Sequence, residues 1–124
     1  MLNRTRRWWG FRGLITAASG AYLLQAVLAG QFLSGTYASL GWHQITATCT
    51  DVLLVCAIAV AASLRWPDSG RWWPLLTSAG LFLASQVQTA SGAARLLAVH
   101  VPLAVLITIA AVVLTVLAWR EPVA

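Results

Sequence analysis

The chain holds two histidines, and both stand at the same place in an internal repeat. Shifting the sequence by 57 residues aligns residues 31–47 (QFLSGTYASLGWHQITA) with residues 88–104 (QTASGAARLLAVHVPLA), with six identities in 17 positions. These are Gln31 with Gln88, Ser34 with Ser91, Gly35 with Gly92, Leu40 with Leu97, His43 with His100 and Ala47 with Ala104. Abundant Ala, Leu and Gly match by composition alone; the histidines and the Ser-Gly pair do not. Neutral imidazole is a natural donor to haem iron, and two imidazoles from different elements complete its axial coordination. Zinc fits less well, because a structural zinc site takes four protein ligands and a catalytic site three.

Other residues stand where they could serve such a pair. Arg95, five positions before His100, is suited to a haem propionate, since guanidinium binds carboxylate through charge-assisted, often bidentate hydrogen bonds; as a plain loop charge it would be solvated. Gln31 and Gln88 are candidates for hydrogen bonds that orient the imidazoles, or for glue between helices. Asp51 lies about two helical turns past His43 and about 80° round the helix. A charge there costs about 2.5 to 3.5 kcal/mol inside a bilayer, which calls for a partner such as Gln25 or a threonine, for hydration or for a proton, and leaves a proton-relay role open. Cys49 and Cys56, seven positions apart on one helix, are about 10 Å apart along its axis. That is too far for a disulfide, and they read as packing residues. No C-x-x-C-H is present, so covalent c-type haem attachment is excluded.

The elements that must position these residues follow from composition. Hydrophobic residues make up 60% of the 124 and charged ones 9%, too little polar surface to cover a water-soluble fold. Four apolar stretches, near residues 12–33, 41–64, 73–90 and 96–119, each approach the length that spans a hydrocarbon core of about 30 Å. The expected fold is all-α: a single transmembrane domain over 1–124, an up-down four-helix bundle with an internal two-fold pseudo-repeat. Residues 34–40 and 91–95 join helices at one end, and residues 65–72 at the other, where Pro67 and Gly70 favour a turn. The run that follows the basic N-terminus is too long for the apolar region of a signal peptide, and it takes part in the repeat, so it reads as the first helix.

Arginine flanks retained on the cytoplasmic side set the orientation. Arg4, Arg6, Arg7, Arg12, Arg65, Arg71 and Arg120 fall at one end and Arg95 at the other, which places both termini in the cytoplasm. Trp8, Trp9, Trp66, Trp72, Trp73 and Trp119 cluster at the arginine-rich end, with Trp42 opposite, as interfacial anchors. The net charge of +5 is scattered over segment ends rather than gathered on one helix, which argues against nucleic acid as a partner. Exclusive use of Arg, with much Ala and Val, points to a GC-rich bacterial genome and hence to the inner (cytoplasmic) membrane.

Both histidines then lie about one turn inside the outer ends of parallel helices, related by a pseudo-two-fold axis along the membrane normal. His43 shares a face with Ala47, Thr50 and Leu54, and His100 with Ala104, Thr108, Ala111 and Thr115. Small residues there suit close helix contact or a flat cofactor. The segments GWHQITA (41–47) and RLLAVHVPLAVL (95–106) resemble one four-helix half of heme A synthase. That resemblance implies a four-helix bundle with histidines at the outer ends of its second and fourth helices, and a non-covalent haem b with His43 and His100 as axial ligands. Heme A synthase has eight spans and an acidic residue in an outer loop; this chain has one half and no outer Asp or Glu, so what carries over is the haem site and not the oxidising reaction.

The expected function is that of a cytochrome b-like haem protein, active in electron transfer or as a haem-holding subunit, with a quinone or redox protein as partner. The pseudo-symmetry also permits a homodimer. Two other classes fit the same residues: a small proton-coupled transporter using Asp51 and the histidines, and a structural membrane subunit with no cofactor.

Overall fold

The computed structural model describes residues 2–66 and 70–122, and among these the chain forms four α-helices. They are α1 (Leu2–Leu33), α2 (Ser39–Arg65), α3 (Trp73–Ala93) and α4 (Leu97–Arg120). α1, α2 and α4 are long and apolar enough to cross a membrane, which by length and composition suggests a membrane protein. α3 has 21 residues, a length of about 32 Å, but Ser, Thr and Gln dilute its apolar character.

Each helix turns one stripe inward at the helical period. α1 buries Phe11, Ile15, Ala18 and Tyr22; α2 buries Thr50, Leu54, Ala57, Ala61 and Leu64; α3 buries Ser78, Leu81 and Ser85; α4 buries Ile107, Ala111, Leu114 and Ala118. Half of these residues are Ala, Ser or Thr, which suit close contact between helices. Leu23, Val52, Leu83 and Leu106 point outward and are more than half exposed, an arrangement stable against lipid and unfavourable against water. Each helix packs on its neighbour in sequence and α1 closes the ring on α4, so α1 faces α3 and α2 faces α4 across the diagonals.

α1 starts at Leu2, well before the expected residue 12, because its arginines find acceptors on its neighbours. Arg7 Nη1 donates to the carbonyl of Ser63 at 2.7 Å, near the end of α2. Arg12 Nε and Nη2 donate to the carbonyls of Ala118 and Glu121 at 2.9 and 2.5 Å, at the end of α4. Helix C-termini leave carbonyls unpaired and carry partial negative charge, so the two arginines cap both helices that flank α1.

The turns at the opposite end resemble each other, with a shift. Thr36 N–H bonds the Gln31 carbonyl at 2.9 Å around Gly35 at φ +99°, and Leu96 N–H bonds the Ser91 carbonyl at 2.9 Å around Arg95 at φ +59°. Both are left-handed helix terminations. In the repeat, however, Gly35 aligns with Gly92 and not with Arg95, so the shared Ser-Gly pair plays two different parts. Of the expected 65–72 turn, Pro67 lies outside the described residues; Gly70 packs so closely that an added Cβ would meet the Leu64 carbonyl oxygen at 2.2 Å.

Candidate functional site

His43 lies in the first turn and a half of α2 and His100 in the first turn of α4. Their helices are diagonal, yet the two rings meet across the bundle axis with centres 6.3 Å apart and planes at 64°. Both side chains are half-buried.

One backbone carbonyl orients each ring. His43 Nδ1 lies 3.0 Å from the Gln25 carbonyl, and His100 Nδ1 lies 2.9 Å from the Gln88 carbonyl. A carbonyl only accepts, so in the neutral ring Nδ1 carries the proton and donates, which leaves the Nε2 lone pair free. This is the usual pattern for metal-binding imidazole, with one nitrogen held by an oxygen and the other presented. Ser91, itself buried, stands 3.4 Å from His100 Nδ1 and donates to the Gln88 carbonyl at 2.9 Å. Gly92 completes the seat: a Cβ there would come within 2.8 Å of His100 Cε1 and 2.9 Å of Nδ1.

The remaining sequence candidates divide. Gln88 joins the pair through its main chain, while its side-chain Oε1 is buried without a hydrogen-bond partner. Gln31 accepts from Ser39 Oγ at 3.0 Å and braces the α1–α2 turn instead of a histidine. Arg95 is exposed in the turn before α4, its backbone N–H on the Gly92 carbonyl. Cys49 and Cys56 are exposed free thiols. The sequence offered Gln25 only as a partner for Asp51; its contact with His43 runs through a carbonyl that no side-chain pattern encodes, and Ser91 and Gly92, which seat His100, stood out only as repeated letters.

Comparison with protein-family models, with curated proteins and with solved structures gave no match. Among the described residues no group of three His, Cys, Asp or Glu side chains converges, so the donor set is two imidazoles. Two neutral imidazoles suit axial ligation of haem better than zinc, and the glycine seat and oriented rings fit that use. An apolar cleft between α3 and α4 and another cleft at the arginine-rich end both lie away from the histidines. A macrocycle between the rings thus requires neighbouring side chains to move.

Below the rings three polar pairs bridge helices within the apolar core. Gln25 Nε2 donates to Thr50 Oγ1 at 3.0 Å; Tyr22 and Ser85 share a hydrogen bond across the α1–α3 diagonal; Ser19 and Thr115 share another at 2.8 Å. Asp51 stands within electrostatic reach of Tyr22, and Gln25 is engaged with Thr50 rather than with that carboxylate.

Proposed function

We propose that this chain is a four-span membrane protein that holds one haem b non-covalently between His43 and His100. It serves in electron transfer, alone or as the haem-holding subunit of a larger oxidoreductase. The observation that carries the reading is the ring pair, 6.3 Å between centres with each Nδ1 on a carbonyl. Two imidazoles brought together across the axis, each with Nδ1 held by a carbonyl, are the side chains that would hold the iron. When bound, haem would supply one-electron redox chemistry, held by His43 and His100. The chain's own part is to orient the imidazoles through the carbonyls of Gln25 and Gln88 and to make room at Gly92. Arg95 is the arginine at this end that would meet a propionate.

The arginine-rich end faces the cytoplasm of a bacterial cell in this reading, because basic flanks are retained there. The histidine pair then lies near the outer face of the cytoplasmic membrane, within reach of a quinone or an external redox protein. The test is to purify the protein in mild detergent with haem supplied and to record oxidised and reduced spectra. A low-spin haem signature that disappears in His43→Ala and in His100→Ala is the expected result; a colourless preparation that takes up no haem overturns the reading.

The polar pairs below the rings favour a second reading, proton-coupled transport through Asp51 and the histidines. It calls for proton flux in liposomes that Asp51→Asn abolishes, in protein free of haem.

A further inference from the structure

The helix ends converge at the arginine-rich face around a cleft of about 200 Å³. Arg4 and Trp8 come from α1, Leu64 from the end of α2, Arg71 and Pro74 from the entry to α3, and Glu121 from just past α4. Trp8 is a fixed wall of this cleft and Arg71 its available donor. The indole N–H of Trp8 is buried and has no acceptor, a costly state for a donor. The ring cannot easily turn to find one, because Trp8 stacks on Phe11 at 5.6 Å and meets the edge of Trp73 at 6.0 Å. Arg71 gives one nitrogen, Nη1, to both Glu121 oxygens at 2.5 and 2.6 Å, and a guanidinium has further donors to share.

The cleft thus offers Arg4 and Arg71 beside the apolar Leu64, Pro74 and Pro122, with the Glu121 carboxylate among them. An anion carried on an apolar body satisfies both the arginines and the apolar walls. Exposed Trp9, Trp66 and Trp119 ring the same end, and tryptophan marks the depth of lipid headgroups. We propose that this cleft binds the phosphate of an anionic phospholipid headgroup, with Arg4 and Arg71 as donors. Basic pockets between membrane helices recognise headgroups by this chemistry. The site is independent of the histidine pair and of any haem.

The test uses the full chain in nanodiscs of phosphatidylcholine with and without phosphatidylglycerol, and native mass spectrometry to count retained lipid. One phosphatidylglycerol is retained in preference to phosphatidylcholine. Arg4→Gln and Arg71→Gln each weaken retention about fivefold, the effect of one basic residue near a membrane surface. Arg6, exposed on the same helix and outside the cleft, is the control, and Arg6→Gln leaves retention unchanged. Glu121→Gln removes the opposing charge and strengthens retention. Inorganic phosphate added in detergent separates the sources: competition with the same arginine dependence extends the site to free phosphate, and no competition restricts it to the headgroup. Equal losses for Arg6→Gln and Arg4→Gln, or no preference for phosphatidylglycerol, overturn the proposal.

Discussion

Arg12, at one end of the bundle, is 4% exposed, donates to two backbone carbonyls of the α4 terminus and lies 4.8 to 6.0 Å from the centres of the Trp8, Trp9 and Trp119 rings. At the other end His43 and His100 are half-buried, held by one strong carbonyl contact each, on helices whose N-termini have no side-chain cap. Arg65 likewise lies over Trp66 and Trp72. Arg12 has its charge met by indoles and by the α4 C-terminus, whereas Arg65 has its indoles but a buried Nε with no hydrogen-bond partner. The imidazoles keep a lone pair each. The arginine end is thus packed around Arg12, with the Arg4–Arg71 cleft beside it, while the histidine end presents two imidazole lone pairs.

The largest expected effect breaks the packing around Arg12. Arg12→Ala removes two charge-assisted hydrogen bonds and a three-ring cation–π contact, and costs about 3 kcal/mol of stability. Thermal unfolding in detergent measures it, with Arg12→Lys recovering less than half because an ammonium lacks the planar fork. His43→Ala, measured alongside, costs about 1 kcal/mol, the scale of a single hydrogen bond. Equal losses at the two ends would erase the contrast.

Next in size is Gly92→Ala. Its methyl group would stand 2.8 Å from His100 Cε1, so the ring must leave the Gln88 carbonyl. Haem retention, read from absorbance during dilution, drops about tenfold if the seat matters, equivalent to about 1.4 kcal/mol. Gly80→Ala, where an added Cβ meets nothing within 4 Å, leaves retention unchanged. An unaltered spectrum and affinity in Gly92→Ala would detach the glycine from the site.

This contrast was only partly legible in the sequence. Apolar runs gave four helices and their approximate ends, since length and hydropathy are local properties. Arg7 and Arg12 looked like ordinary flanking charges, because their acceptors sit on the last turns of α2 and α4, far along the chain. The repeat singled out His43 and His100, yet it also paired Gln31 with Gln88, which the structure puts to different uses. Local identity does not carry local geometry here, because the second turn closes at Arg95, three positions beyond the glycine that matches Gly35.

Between the ends, Tyr22→Phe deletes the hydroxyl bonded to Ser85 and leaves that serine, 5% exposed, without this partner. The expected cost is about 1 kcal/mol, measured by unfolding, with Ser85→Ala restoring part of it in the double variant. Full additivity of the two substitutions would show that the cross-axis bond holds nothing together.

The smallest effect concerns Arg71 and Glu121, an ion pair whose contact at 2.5 Å suggests strength. Exposure argues the other way: the Arg71 side chain is 68% exposed and that of Glu121 22%, so water and salt screen the attraction and both chains lose rotamer freedom to hold it. A double-mutant cycle with Arg71→Gln and Glu121→Gln should give a coupling of about 0.5 kcal/mol, lower at high ionic strength. A coupling several times larger and insensitive to salt would mean that this pair, and not Arg12 with its indoles, fastens the end of the bundle. The contrast between the ends would then be one of surface charge, which the arginine spacing alone already announces.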